Sequence, residues 1–140
     1  AEAEPDIGRR VWRKLLVNAA INPPAAIFGV RNGELAAEDR YRRVMRAALE
    51  EALAVARASG AAPDGDMWTE VLAVCAATAE NDASMLQDVR AGRETEIESI
   101  TGALIREAAR RGVPVPVNAA LYRLVKLFAP AGNPVDKTGE

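Results

Sequence analysis

Glycine and proline residues divide this chain into short segments that are rich in strong helix formers. Alanine makes up about a fifth of the chain, and Ala, Leu, Arg and Glu dominate the segments between the breakers. Runs of β-branched residues bounded by turns, which would indicate strands, are missing. A chain of 140 residues can bury one core. These features predict an all-α fold of six or seven helices in a single domain.

The breakers and the capping residues place the ends of the predicted helices. Pro23 disfavours helical backbone at Asn22, so the first helix should close there. The pair Asn32–Gly33 is typical of a turn, and Asp66 and Asn118 are predicted N-caps. The predicted helices cover residues 6–21, 25–30, 36–59, 66–80, 84–91, 95–111 and 118–128.

The second half of the chain carries further start and stop signals. Thr95 and Glu98 have the spacing of a capping box, which predicts a helix start. Gly92 and Gly112 each follow a helical segment and favour its termination. The last residues, 129–140, are predicted to be a frayed tail, which leaves an ordered core over roughly 6–128.

The composition excludes several kinds of site. Because the chain has no His, it cannot contain a Ser-His-Asp or Cys-His nucleophile system or an imidazole metal site. Cys75 is the single cysteine and is expected to be a buried apolar residue, and no carboxylate cluster is dense enough for a metal ion. The formal net charge of -2 provides no basic excess for nucleic acid.

No targeting or membrane-spanning signal stands out. No apolar run approaches the roughly 20 residues that a membrane span needs. Residues 1–6 are acidic and lack the basic start and apolar core of a signal peptide. We therefore expect a cytoplasmic protein with no membrane partner.

The first predicted helix carries three polar residues on one stripe. Lys14, Asn18 and Asn22 are spaced by four residues, so they follow one face. Their neighbours, such as Leu15 and Leu16, predict a helix that is buried nearly all round. Taken singly, Lys14 could extend to solvent and the asparagines could cap or bridge helices. The three together favour a polar cleft in which a buried lysine would serve as a general acid.

A second group of polar residues lies near two predicted helix starts. It comprises Asn81, Ser84 and Glu96. Each has an ordinary structural role open to it: Ser84 as an N-cap, Asn81 as a turn residue and Glu96 as a favourable charge near a helix N-terminus. Their spacing alone favours these structural roles.

Two long blocks of the sequence follow the order and spacing of one known domain family. The first comprises residues 12–23 (WRKLLVNAAINP) and 32–35 (NGEL). The second comprises residues 84–90 (SMLQDVR), 92–93, 95–97 (TEI), Gly102 and 112–118 (GVPVPVN). Over about residues 10–127 the chain resembles the C-terminal domain of the ketopantoate reductases (2-dehydropantoate 2-reductases).

The resemblance implies a fold, an activity and a cofactor. The fold is a helical domain similar to the 6-phosphogluconate dehydrogenase C-terminal-domain-like fold, which closes a cleft over the substrate. The implied reaction is the NADPH-dependent reduction of 2-dehydropantoate to (R)-pantoate, on the pathway to pantothenate and coenzyme A. No metal is implied, and the small-molecule partner is a 2-oxo acid.

The resemblance also implies roles for individual residues. Lys14 would be the catalytic lysine that donates a proton to the carbonyl oxygen, and Glu96 a carboxylate that positions substrate or cofactor. The substrate-binding residues would be Asn18, Asn22 and Ser84, while Asn32 and Asn81 match positions close to the site.

Members of this family also contain an N-terminal Rossmann domain that holds NADPH. Its glycine fingerprint is absent from this sequence. We therefore expect the Rossmann domain to be a partner supplied by a longer protein, and this chain alone to be inactive.

Two alternatives remain open: a related reductase of another 2-oxo acid, and a non-catalytic helical module that forms a homodimer through an apolar face. The module interpretation gains if Lys14, Asn18, Ser84 and Glu96 do not converge on one cleft.

Overall fold

The computed structural model describes residues 5–128, and within this range the chain forms seven helices and no strand. The helices are α1 (Pro5–Phe28), α2 (Asn32–Ala37), α3 (Asp39–Ala58), α4 (Met67–Ala77), α5 (Ser84–Ala91), α6 (Ala103–Arg111) and α7 (Pro116–Phe128). A π-helical turn, Glu98–Gly102, leads directly into α6. Among these helices, none combines the length and the apolar character that crossing a membrane requires. The all-α prediction is confirmed, and the predicted tail over 129–140 lies outside the described residues.

Helix α1 continues to Phe28 through Pro23 and Pro24, so both the predicted end at Asn22 and the separate helix predicted over 25–30 are wrong. A proline inside a helix removes a backbone hydrogen bond and costs about 3 kcal/mol. Residues 22–26 are all buried, in a helix that packs against α3, α5, α7 and α4. A break at Asn22 would expose this segment, so the burial of apolar surface outweighs the local cost.

The pair Asn32–Gly33 begins helix α2 instead of forming a turn. The first N–H groups of a helix have no partner within it. Here they donate to the chain between α4 and α5, from Asn32 to the carbonyl of Asn81 and from Gly33 to the carbonyl of Ala79, both at 3.0 Å. A Cβ atom at Gly33 would lie 2.8 Å from the Cβ of Ala79. The absence of a side chain at Gly33 therefore lets α2 hold the segment 78–84 closely.

All seven helices contribute to one core. The largest fully buried apolar side chains are Leu16, Leu35, Met45, Leu49, Val55, Met67, Val71, Met85, Leu86, Leu104 and Val125. A contiguous core shared by every helix is the mark of a single domain, as predicted.

Several predicted helix ends are confirmed. The side chain of Asp66 accepts hydrogen bonds from the backbone N–H groups of Trp68 (3.0 Å) and Thr69 (3.3 Å) at the start of α4. Helices α5 and α6 end at Gly92 (φ 73°) and Gly112 (φ 70°), which adopt the left-handed conformation that favours glycine.

The start of α7 is capped from α3, so the prediction that Asn118 is the cap is wrong. The carboxylate of Glu51 accepts from the backbone N–H groups of Val117 (2.9 Å) and Asn118 (3.0 Å). Asn118 is buried, and its Nδ2 donates to Glu51 (2.9 Å) and to the carbonyl of Ala48 (3.0 Å). A carboxylate at a helix N-terminus is favourable, so Glu51 ties α7 to the middle of α3.

The predicted capping box does not form. Thr95 Oγ1 accepts from the N–H of Ile97 (3.3 Å), which is one residue earlier than predicted. Glu98 instead accepts hydrogen bonds from Lys126 (2.7 Å) and Tyr122 (2.6 Å) on α7, and these bonds lower the pKa of Glu98. Partners on another helix therefore replace the local capping interaction.

A second carboxylate joins α3 to α6. Hydrogen bonds from Arg111, Arg110 and Ser59 lower the pKa of Glu107 to about 2. Ser59 follows the last residue of α3, and its hydroxyl lies 3.0 Å from the carboxylate. Glu107 is therefore ionised over the whole physiological range of pH.

Candidate functional site

Five of the polar residues singled out in the sequence line one cavity of about 210 Å³. They are Asn18 and Asn22 from α1, Asn32 from α2, and Asn81 and Ser84 at the approach to α5. The rest of the wall is formed by Val17, Ile21, Val74, Thr78, Asp82 and Ala83. The stripe on α1 and the distant second group therefore form one polar cavity.

Asn22 has a fixed orientation in this cavity. Its Oδ1 accepts hydrogen bonds from Ser84 Oγ and from the backbone N–H of Met85, both at 3.3 Å. Met85 is the second residue of α5, so Asn22 satisfies one of the N–H groups that a helix start leaves without a partner. Because both donors use Oδ1, the Nδ2 group of Asn22 remains as a hydrogen-bond donor for a ligand.

Asn32 is also oriented by its neighbours. Its Nδ2 donates to Thr78 Oγ1 (2.9 Å), and the Thr78 hydroxyl donates to the carbonyl of Val74 (2.7 Å). The Oδ1 atom of Asn32 is buried and has no hydrogen-bond partner among residues 5–128. Such unpartnered acceptors are rare inside folded proteins.

A second cavity, of about 370 Å³, adjoins the first and contains Lys14. The two cavities have Val17, Asn18 and Val74 in common, so they meet at Asn18, one helical turn after Lys14. The other lining residues are Arg10, Arg13 and Glu70. Lys14 and the polar cavity therefore lie along one face of α1.

The stripe on α1 becomes more buried along the helix. Lys14 is exposed, Asn18 is half-buried and Asn22 is buried, so the expectation of a buried lysine is wrong. The stripe runs from the open cavity at one end into the contact with α5 at the other. The neighbouring cation, Arg13, is bound by the carboxylate of Glu70.

Glu96 lies apart from the other candidate residues. It is exposed, it precedes the π-helical turn, and it lines neither of the two cavities. Its backbone carbonyl accepts a hydrogen bond from the N–H of Ile100 at 3.0 Å. The structure therefore brings together Lys14, Asn18, Asn22, Asn32, Asn81 and Ser84, and leaves Glu96 outside.

Two other features bear on the chemistry of the domain. Cys75 is buried on α4, as expected, and this burial raises the pKa of its thiol to about 11, which keeps it protonated. A dinucleotide fold places a glycine-rich turn between a strand and a helix. Residues 5–128 contain no strand, so they do not fit a self-contained NADPH site.

Comparison with known families identifies this arrangement of helices. The family described as "Ketopantoate reductase PanE/ApbA C terminal" matches residues 6–129. The chain belongs to this family. The resemblance carried by residues 12–23 and 84–118 is therefore confirmed, and the chain is the C-terminal domain of a ketopantoate reductase family protein.

Known relatives extend over the same region. The 2-dehydropantoate 2-reductase of Archaeoglobus fulgidus is 42% identical over 126 residues, which cover 90% of this chain and 42% of the relative. The crystal structure of a probable 2-dehydropantoate 2-reductase from Bacillus subtilis matches with a TM-score of 0.80 and 35% identity, over 91% of this chain and 42% of that one.

A structure of D-mandelate dehydrogenase with NADH and anilino(oxo)acetate matches with a TM-score of 0.77 and 27% identity, over 91% of this chain and 43% of that one. The chain spans about two fifths of the length of the curated relatives it matches.

Thr78 is a residue of this ketopantoate reductase domain that the sequence did not single out. It lines the polar cavity and contacts Asn32, which is distant from it in the chain. Threonine is common near helix ends, so its presence there did not indicate a role in the cavity. The only sequence signal for such a role was its position three residues before Asn81.

Proposed function

We propose that this chain is the substrate-binding domain of a cytoplasmic, NADPH-dependent 2-dehydropantoate 2-reductase in which Lys14 is the proton donor. One observation carries the proposal: Lys14 and the asparagines that follow it on α1 line two adjoining cavities. The similarity to 2-dehydropantoate 2-reductases of several organisms supports the choice of substrate.

In this proposal the ammonium group of Lys14 lies beside the carbonyl oxygen of a bound 2-oxo acid. Reduction of the carbonyl group develops negative charge on its oxygen, and an ammonium group beside that oxygen stabilises the charge and donates the proton. Lys14 lies one turn from Asn18, where the two cavities meet. NADPH supplies the hydride when it is bound, and we assign its binding to an N-terminal Rossmann domain of the longer protein.

The far end of the polar cavity suits the rest of the substrate. Asn22 offers its Nδ2 as a donor, and Ser84 is the first residue of α5. The N-terminal end of α5 and the Nδ2 donor of Asn22 favour an anionic group, so we place the substrate carboxylate beside Asn22 and Ser84. Ser84 would donate to this carboxylate the hydroxyl hydrogen that it otherwise donates to Asn22. The role of Glu96 in positioning substrate or cofactor stays a prediction from the family resemblance.

The proposal is tested by NADPH oxidation with 2-dehydropantoate, using the full-length protein that carries this chain. We expect Lys14→Ala to lower kcat by about 10²- to 10⁴-fold, the range that general acid catalysis contributes. Lys126→Ala removes an exposed lysine on α7 and should keep the kcat of the unsubstituted protein. A Lys14→Ala variant with unchanged kcat would rule out the assigned role, and turnover by the 140-residue chain alone would contradict the two-domain account.

A second candidate function is the reduction of another 2-oxo acid. The match to D-mandelate dehydrogenase supports this candidate, because that protein has a similar domain and is named for a different substrate. Comparing kcat/KM across a panel of 2-oxo acids separates the two, since a clear preference for an acid other than 2-dehydropantoate selects the second.

Of the four residues whose convergence bears on the non-catalytic module, Lys14, Asn18 and Ser84 line adjoining cavities, while Glu96 lies outside both, so the module interpretation stays open. Apolar side chains do remain exposed, notably Val11 (61%) and Leu127 (76%). Contact of these residues with the N-terminal domain or with a second copy is compatible with the reductase proposal. Light scattering of the full-length protein measures whether two copies associate.

A further inference from the structure

We propose that Thr78 is a positioning residue, which fixes the Asn32 side chain so that the polar cavity recognises a hydroxyl group of the substrate. The inference rests on the proposed function, because it takes a hydroxylated 2-oxo acid as the ligand. Thr78 acts through Asn32 and is not itself placed against the reacting atoms.

The hydroxyl group of Thr78 determines which way the Asn32 amide is turned. A hydroxyl carries a single hydrogen, and that of Thr78 is donated to the carbonyl of Val74 at 2.7 Å. Toward Asn32 the Thr78 oxygen can therefore only accept, and it accepts from Nδ2 at 2.9 Å. Turning the amide over would bring Oδ1 against this oxygen, and the hydroxyl would then have to leave the Val74 carbonyl to donate to it, so the bond to Val74 favours the observed orientation.

The backbone around Asn32 is held independently of this side-chain contact. The N–H of Asn32 donates to the carbonyl of Asn81, and that of Gly33 donates to the carbonyl of Ala79. The start of α2 is thus fixed against the segment that precedes α5. What remains for Thr78 to control is the rotation of the Asn32 amide.

The fixed orientation leaves the Oδ1 atom of Asn32 without a donor. This atom is buried and unpartnered among residues 5–128, and the residue lines the 210 Å³ cavity. An amide oxygen requires a hydrogen-bond donor, so it fits a hydroxyl group and disfavours a carboxylate. Because this atom is closed to solvent, a small movement of the cavity wall would have to open it to a ligand. With the carboxylate placed beside Asn22 and Ser84, the distal hydroxyl of 2-dehydropantoate is the donor that Asn32 would then receive.

The test compares Thr78→Val with Thr78→Ser in the full-length protein on two substrates. Valine has the shape of threonine without the hydroxyl, and serine retains the hydroxyl. The Val74 carbonyl keeps its backbone bond from the N–H of residue 78 (3.0 Å), so neither change leaves it without a partner. The substrates are 2-dehydropantoate and 3,3-dimethyl-2-oxobutanoate, which lacks the distal hydroxyl.

The proposal predicts a loss that depends on the substrate hydroxyl. Thr78→Val should raise KM for 2-dehydropantoate about three- to tenfold, the value of one neutral hydrogen bond, with kcat nearly unchanged. It should leave KM for the deoxy substrate unchanged, and Thr78→Ser should restore normal behaviour with both. Thr69→Val, which removes a hydroxyl at the far end of α4, is the matched control and should change neither constant.

Two results would overturn the positioning role. One is an equal loss with both substrates, which a general distortion of the cavity would produce. The other is a Thr78→Ser variant that behaves like Thr78→Val. In both cases normal turnover of 2-dehydropantoate by the unsubstituted protein would leave the proposed function standing.

A spectroscopic measurement decides the role of Thr78 even if the protein does not reduce 2-dehydropantoate. With ¹⁵N-labelled asparagine, the side-chain NH₂ signal of Asn32 should show a hydrogen-bonded, slowly exchanging proton. That signature should be lost in Thr78→Val and kept in Thr78→Ser. An Asn32 signal that is unchanged in Thr78→Val would overturn the inference.

Discussion

Replacing the two neighbouring site asparagines of α1 by alanine should separate folding from ligand binding. Asn22→Ala removes an acceptor that holds two groups at the start of α5. Asn18→Ala removes an amide that lines both cavities and has no hydrogen-bond partner in the described part of the chain. The same substitution, one turn apart on the same helix, should therefore have different effects on stability.

The expected magnitude follows from the contacts of each residue. Asn22→Ala leaves the buried N–H of Met85 unpartnered, which costs about 1–3 kcal/mol. The exposed Ser84 hydroxyl can turn to water, and alanine regains about 0.5 kcal/mol of helix propensity. We expect a net loss of about 1–2 kcal/mol of unfolding free energy for Asn22→Ala. For Asn18→Ala only the propensity gain remains, so its stability should be unchanged or slightly higher.

Urea unfolding followed by circular dichroism measures the first quantity, and the KM for 2-dehydropantoate measures the second. Both variants should bind the substrate more weakly, because both lose a donor in the cavity. The reasoning fails if the two variants have equal unfolding free energies, since Asn22 would then not hold α5. It also fails if Asn22→Ala is destabilised but keeps its KM, since Nδ2 would then not face the ligand.

Three further measurements test the fold itself. Gly33→Ala should lower the unfolding free energy by about 1–3 kcal/mol, because its Cβ would lie 2.8 Å from that of Ala79. Gly8→Ala, which has open space around it in α1, should instead raise the unfolding free energy by up to about 1 kcal/mol, and equal effects would contradict this explanation. The ionised Glu107 contributes stability that is fully present above its ordinary pKa of 4.5 and is lost as pH falls toward about 2. Glu107→Gln should therefore weaken the loss of stability between these pH values in urea titrations, and an unchanged pH profile would refute that. The Cys75 thiol, with its pKa raised to about 11, should resist a disulfide reagent at pH 8 in the folded protein and react fully in denaturing urea, and rapid reaction when folded would contradict its burial.

Local sequence patterns predicted a helix end correctly where the deciding residue interacts with its own helix. The cap at Asp66 and the left-handed glycines Gly92 and Gly112 are confirmed, because a cap or a positive φ is decided within a few residues. The same patterns failed where a distant residue competes for the position. Glu51 displaced Asn118 as the cap of α7, and α7 drew Glu98 away from its predicted capping box.

In the candidate site, too, local sequence predicted some features and contacts between distant residues decided others. Its α1 residues, Lys14, Asn18 and Asn22, were predicted from spacing, because a helix places residues four apart on one face. The functional weight of Ser84 and Asn81 came from the family resemblance, since their spacing alone suited capping and turn roles. The contact of Thr78 with Asn32 had no sequence signal, because nothing local relates a residue of α4 to one of α2.

The sequence by itself determined an all-α domain, several of its helix ends, its family and the polar stripe on α1. Helix propensity, capping and hydrophobic periodicity depend on residues that are close together in the chain, so the sequence alone reveals them. Only the tertiary structure decided that α1 continues through Pro23 and Pro24, that Lys14 is exposed, and that Asn22 meets Ser84 across the cavity. These outcomes depend on the burial of α1 against the other helices, and that burial outweighs a local penalty of a few kcal/mol.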